Sequence, residues 1–173
     1  IWVEDMKESF AFKERDIFWH NNGGFRLEEP NSLVITKLGA YKSLFCGCSV
    51  VQDHSPNQVD AYYEAMPIIV SKNFRQCHSL TLGNWWGGET PQKEMELTKG
   101  KMPFIVHLGE GIDDITKGEF AQLKKMDLLK ENTLIIHGIA LSAEDMDEVA
   151  KAKASLCWCP SSNFFLIGQT IKI

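Results

Sequence analysis

The sequence predicts an α/β fold in which parallel strands alternate with intervening helices. Three observations carry that expectation. Apolar runs of strand length begin near residues 103, 133 and 154. A helical pattern with a capping signal lies between each neighbouring pair. Each run closes on a polar residue or turn, at His107, at His137 and at Cys159-Pro160-Ser161. Strand–helix–strand repetition builds βαβ units and therefore a parallel sheet. The composition allows it, since 173 residues with 44% hydrophobic and 24% charged side chains can bury an ordinary core.

The first half gives the weaker signals. Residues 2–19 interleave charges with Met6, Phe10, Phe12, Ile17 and Phe18 and read as a helix, followed by a turn at Asn21-Asn22-Gly23-Gly24. Pro30-Asn31-Ser32 then caps a second helical pattern formed by Leu33, Ile35, Leu38, Ala40, Tyr41 and Leu44. Cys46 to Val51 reads as a short buried strand ending at Asp53-His54, reached from the helix through Gly47. Between 56 and 100 the pattern is least regular. Ile68-Ile69-Val70 and Cys77 to Leu82 each read as a strand, and Gly83 to Gly88 as a loop.

From 101 onward the elements follow in rhythm. Met102 to Val106 closes on His107. Thr116-Lys117-Gly118-Glu119 has capping-box form and opens a helix with Phe120, Leu123 and Met126 on one face. Thr133 to Ile136 closes on His137-Gly138. Ser142, with Asp145 three residues on, caps a helix whose inner stripe is Met146, Val149 and Ala150. Ala154 to Trp158 is the third strand of the series.

Charge and cysteine content narrow the class of function. Eighteen Lys+Arg against 23 Asp+Glu give a net charge of −5, the wrong balance for gripping a phosphate backbone, so no nucleic-acid partner is expected. The longest apolar stretch, around Phe164 to Ile167, is far too short to cross a membrane as a helix. Ile1-Trp2-Val3-Glu4-Asp5 lacks a signal-peptide pattern, and five cysteines are an odd number for a disulfide framework, so a cytoplasmic location is expected. Both ends read as cut, because the sequence opens without Met and closes on the apolar run Phe164 to Ile173.

Several weaker signals are set aside. Cys46-Gly47-Cys48 and Cys157-Trp158-Cys159 place their thiols on one face if they are strands, and read as buried small residues in preference to a thiolate cluster. Gly83 to Gly88 lacks the Lys-Ser/Thr of a phosphate loop, which disfavours a nucleotide-binding domain. Trp85 and Trp86 read as packing under a loop, His78 as a core histidine and His20 as a surface one. Asp53-His54 suits a pocket lining and a plain strand-end turn equally.

Parallel β/α architectures bind ligands at the carboxyl ends of their strands. His107 and His137 lie 30 residues apart, about one βα unit, so their imidazoles should project from adjacent strands at one face. In His107-Leu108-Gly109-Glu110 the glycine lets the chain turn so that Glu110 points back over the same mouth. A neutral imidazole can ligate a divalent metal that makes bound water more acidic, and a nearby carboxylate can move the proton. The plainer account is a pair of strand-end histidines bonded to carbonyls and a solvated loop acid. One His and one Glu do not complete a metal site, because catalytic zinc takes three protein ligands.

At these residues the sequence resembles the amidohydrolase superfamily, in its cytosine-deaminase and chlorohydrolase-like branch. Pro103-Phe104-Ile105-Val106-His107-Leu108-Gly109-Glu110-Gly111 is similar to that family's fifth-strand segment, and Leu134-Ile135-Ile136-His137-Gly138 to its sixth. Ala154 to Asn163 is similar to the seventh, and Ser49 to His54 to the second. The resemblance implies a partial (β/α)8 TIM barrel of the metal-dependent hydrolase type. It implies a divalent metal ion, zinc or iron, that activates water for deamination, or for amide or chloride hydrolysis, on a small nitrogenous ring. It makes His107 a metal ligand and Glu110 the catalytic acid/base. His137 becomes the group that bonds water or substrate, or a ligand to a second metal in binuclear members. Asn163 falls where a loop would touch substrate.

The sequence also departs from that pattern. It contains no His-x-His pair of a first strand, no eighth-strand Asp and no amino-terminal β-sandwich segment, and 173 residues fall short of the roughly 250 of a complete barrel. Residues 1–173 are therefore expected to form an incomplete barrel domain that lacks its first metal-ligand strand and its last strand and is inactive alone. The competing expectation is a non-catalytic β/α binding or assembly domain that has lost its metal shell. Expected partners are a small-molecule substrate and no membrane, with self-association as a way to cover open strand edges.

Overall fold

The computed structural model describes residues 30–52, 60–81 and 89–172. The described residues divide into two compact units, one up to Lys72 and one from Asn73 onward. The helix expected over 2–19, the turn at 21–24, His20, Asp53-His54 and the loop bearing Trp85 and Trp86 lie outside the described residues.

In the first unit, α1 (Pro30–Phe45) leads to β1 (Val50–Gln52), α2 (Asp60–Glu64) and β2 (Ile69–Ser71). The strands β1 and β2 pair in parallel, Val50 opposite Ile69. Proline starts α1 without loss, because the first N–H groups of a helix have no partner within it. Gly47, at φ +87°, ends it. Its N–H reaches Leu44 O at 2.9 Å and that of Cys48 reaches Ser43 O at 3.0 Å, the paired bonds of a Schellman cap. That cap occupies residues expected to begin a buried strand. The strand is thus only three residues long, Val50 is exposed, and so are Cys46 and Cys48. The short helix α2 has no counterpart in the sequence reading.

The second unit runs β3 (Arg75–Ser79), α3 (Pro91–Leu97), β4 (Phe104–Leu108), α4 (Asp114–Lys125), β5 (Thr133–His137), α5 (Ala143–Lys151), β6 (Ser155–Cys157) and α6 (Pro160–Ile167). The four strands form one all-parallel sheet in the order β3-β4-β5-β6. Each strand neighbours its successor, with none of the order reversal that marks a doubly wound sheet. This is the winding of a barrel wall, and the unit is part of a (β/α)8 barrel. Phe104, Val106 and Leu108 of β4, Ile135 of β5 and Cys77 of β3 pack with Phe120 and Leu123 of α4, Val149 of α5, Met95 of α3 and Leu128. A central parallel strand is covered on both faces, which is why β4 reads as an unbroken apolar run.

Helix boundaries differ from expectation in instructive ways. The cap of α4 is Asp113, three residues before the expected Thr116, and its carboxylate accepts from Thr116 N at 2.9 Å and Thr116 Oγ1 at 2.8 Å. Glu119 therefore does not serve as the return residue of a box and is free to turn inward. The capping box of α5 at Ser142 and Asp145 is present as expected, with Val149 buried but Ala150 exposed. Phe164 to Ile167 is helical, closed by Gly168 at φ +76°. No helix among the described residues is long and apolar enough to cross a membrane.

Candidate active site

The histidines occupy adjacent strand ends, as their spacing predicts, but the local geometry is not that of two regular strands. In the β4–β5 register His107 lies opposite Ile136, and His137 opposite Leu108. Strict alternation would send the His137 side chain to the helix-covered face with Leu108 and Ile135. Instead His137 adopts φ +75°, and Gly138 N bonds back to Ile136 O at 3.2 Å, an i→i+2 bond around a left-handed residue as in the strained γ-turn. Such a conformation in a residue with a Cβ costs on the order of 1–3 kcal/mol. It takes His137 off the alternation and brings its ring centroid to 5.5 Å from that of His107.

The two loops that leave these strands are latched together. Gly138 N bonds Leu108 O at 3.0 Å, and Ala140 N bonds Gly109 O at 3.0 Å. Gly109 stands at φ +67°, and a Cβ there would come within 3.1 Å of Leu141 Cδ1. Its freedom lets the chain turn sharply after β4. Glu110 is thereby returned over the strand ends, as the sequence predicts, with its Oε1 at 3.2 Å from His137 Nε2.

Glu110 is almost enclosed. Burial, reinforced by the nearby Glu119 carboxylate, pushes its acid from 4.5 to about 7. Glu119 is itself 3% exposed. It accepts from Gly109 N at 2.9 Å and from Thr81 Oγ1 at 2.6 Å, and burial outweighs those bonds to raise its acid as well. A carboxyl poised near neutrality can both give and take a proton at ordinary pH, which an unperturbed glutamate does poorly.

Asn163, expected where a loop would touch substrate, lies on α6 at 1% exposure, and its Oδ1 is 2.8 Å from His137 Nδ1. Its Nδ2 donates to Thr170 Oγ1 at 3.0 Å, which also receives the indole N–H of Trp158 at 2.8 Å. His78 is buried in β3 at 2% exposure, where the register to β4 shifts between Cys77 and Ser79, in keeping with a core histidine. The thiols of Cys157 and Cys159 do share a face, 4.0 Å apart. They are not buried as expected, because Cys157 is exposed and Cys159 half-buried.

Glu119, Thr81, Trp158 and Thr170 went unrecognised in the sequence. A signal existed for Glu119. It sits among Thr116, Phe120 and Leu123 on the buried stripe of α4, and an acid on an apolar stripe marks a carboxyl turned to the interior.

The donor set does not by itself suit a divalent metal. Among the described residues no group of three or more His, Cys, Asp or Glu side chains could hold one. His107 and His137 bring two imidazoles to one place, but Nε2 of His137 is engaged by Glu110. The described residues do not themselves make a metal shell. A recess of about 270 Å³ does exist in this unit, but it lies at the opposite, amino ends of the strands, among Met102, Pro103, Asn132, Thr133 and Ser155.

No family model matches the chain. Over 104 residues it is 29% identical to the 5-methylthioadenosine/S-adenosylhomocysteine deaminase of Haloquadratum walsbyi (strain DSM 16790 / HBSQ001), an alignment covering 56% of this chain. The chain spans only 23% of the length of that relative. Among solved structures, a triazine hydrolase from Arthobacter aurescens aligns with 98% of this chain and 52% of its own, at a TM-score of 0.55 and 12% identity. At that identity the likeness is one of fold. An adenosine deaminase from Xanthomonas campestris with bound zinc aligns with 71% of this chain and 31% of its own, at a TM-score of 0.48 and 16% identity.

Proposed function

We propose that the chain is a piece of an amidohydrolase-superfamily protein, and that this protein is a cytoplasmic hydrolase of carbon–nitrogen bonds acting on a small nitrogenous ring. The name of the curated relative supports deamination as the reaction class. The observation that carries the reading is the contact between Glu110 Oε1 and His137 Nε2, 3.2 Å apart at neighbouring strand ends. All five cysteines are free, which suits a reducing compartment.

In this reading His107 would be one ligand of a divalent cation, zinc or iron, whose other ligands would come from outside the described residues. When bound, such a cation supplies the acidity that activates water. One ligand is not three, so residues 1–173 alone are proposed to be insufficient for turnover. The proton work falls to this chain's own groups. Glu110 Oε1 accepts the proton released as water adds to the sp² ring carbon. It then delivers that proton to the departing nitrogen as the carbon–nitrogen bond breaks. His137, backed by Asn163, bonds to water or substrate and to Glu110 in turn.

The test is Glu110→Gln in the full-length protein, assayed on nucleobases and triazines beside a metal analysis. Glutamine keeps the shape of the side chain and removes the acid. Turnover should be abolished with the bound metal unchanged. Normal turnover by Glu110→Gln would end the mechanism.

A further inference from the structure

A histidine is useful in proton transfer only when the correct ring nitrogen carries the hydrogen, and the neutral ring offers two choices. Here the surroundings of His137 select one of them. Nδ1 meets the side-chain oxygen of Asn163 at 2.8 Å, an acceptor that requires a hydrogen on Nδ1. Nε2, the nitrogen facing Glu110, is then left with its lone pair in the neutral ring.

The Asn163 amide is itself held. It lies on α6, whose end is turned back by Gly168 in the left-handed conformation, so that the chain returns alongside the helix. Ile171 on this returning segment is 4% exposed and lies near Gly138, where a Cβ would be 3.3 Å from Ile171 Cδ1. Thr170, one residue earlier, places its hydroxyl oxygen 3.0 Å from Asn163 Nδ2. The indole N–H of Trp158, which can only donate, occupies the same oxygen from the other side at 2.8 Å. A line of hydrogen bonds thus runs from Trp158 through Thr170 and Asn163 to His137.

We propose that Asn163 is a positioning residue, its amide oxygen holding the His137 hydrogen on Nδ1 so that Nε2 is presented to Glu110 as an acceptor, with Thr170 and Trp158 fixing the amide. The inference deepens the proposed function, and only its consequence for turnover rests on that reading. The tautomer is a property of the fold and is measurable without any reaction.

The experiment is long-range 1H–15N NMR on the full chain labelled with 15N-histidine, with His137 assigned by its substitution. The expected spectrum shows His137 protonated at Nδ1 and bare at Nε2. Asn163→Leu and Thr170→Val should each release it into a mixture, and Asn163→Asp, which keeps an acceptor at the same point, should restore the Nδ1–H form. In the full-length enzyme Asn163→Leu should lower kcat by about ten- to a hundredfold with little change in KM, and Asn163→Asp should recover part of it. An Nε2–H ring in the unsubstituted protein overturns the inference, whether or not any variant folds. So does a folded Asn163→Leu whose ring keeps the Nδ1–H form. An Nδ1–H ring beside a fully active Glu110→Gln sustains the inference and removes the proposed function, so the two fail separately.

Discussion

At the amino ends of β4 and β5 the half-buried Asn132 and the buried Thr133 are neutral and hydrogen-bonded within the protein. Asn132 donates to Thr98 Oγ1 at 3.0 Å and to Met102 O at 2.9 Å, and Thr133 Oγ1 donates to Leu128 O at 2.6 Å. The carboxylate buried near that edge, Glu94, faces Arg75 at 3.6 Å and accepts from Glu89 N at 3.0 Å. At the carboxyl ends of the same strands the half-buried Glu110 and the buried Glu119 lie close enough for one to raise the other. There too a non-glycine residue, His137, holds φ +75°. One edge is arranged to satisfy its groups, with Lys99, Asp127 and Lys153 also at positive φ in the loops that lead into it, while the other retains charge repulsion. In β/α barrels the first kind of edge serves stability and the second carries ligand chemistry.

The sharpest way to break this comparison is at Glu110. Replacing it by Gln in the full-length protein should lower turnover by about 10²- to 10⁴-fold, the usual worth of a positioned acid/base, while Tm measured near neutral pH does not fall. A large loss of Tm with turnover retained would make the carboxyl edge structural. The pH dependence of stability comes next in size. The Glu110 acid is raised in the folded state from 4.5 to about 7. The folded protein therefore holds a proton that the unfolded chain has released. This stabilisation is complete below about pH 4.5 and is lost as pH rises through about 7, amounting to on the order of 3 kcal/mol at most. Urea unfolding at pH 5 and pH 8 should show the decline. Glu110→Gln should reduce it, leaving the smaller slope of Glu119, whose acid is raised in the same direction.

At the other edge the order of effects reverses. Asn132→Ala strips donors from Thr98 Oγ1 and Met102 O and should cost about 1–3 kcal/mol in denaturant unfolding, with kcat and KM of the full-length protein unchanged. A change in kcat would blur the division between edges. Smallest is Ser142→Ala, back on the carboxyl side where α5 begins, which removes the helix's capping box and should cost about 1 kcal/mol by the same measurement.

Much of the carboxyl edge was legible because period and spacing are local. The run ending at His107, its repeat 30 residues on at His137 and the glycine before Glu110 are visible in the chain itself. What stayed hidden depends on contacts distant in sequence. Glu119 meets Thr81 across 38 residues, and Asn163 meets His137 across 26. No local pattern announces either. The four residues Thr116 to Glu119 have capping-box form, but Asp113 competes for the same role three residues earlier and wins by binding both polar groups of Thr116. The helix α3 was announced by Thr90-Pro91, a cap followed by proline at the first turn, within a stretch whose irregular hydrophobicity concealed it. The strand expected from Cys46 gave way to a helix cap for a similar reason: Gly47 serves an αβ connection, but the cap consumes the residues around it.

The most direct test of a proton-shuttling edge is the titration of Glu110 itself, followed by 13C NMR of its side-chain carboxyl in the folded chain and assigned with Glu110→Gln. The expected midpoint is about 7, set by burial and the Glu119 carboxylate, and the 3.2 Å contact with His137 predicts that it moves when His137 is replaced. An ordinary midpoint near 4.5, indifferent to His137, would contradict the account and leave the carboxyl edge no more than a second structural rim.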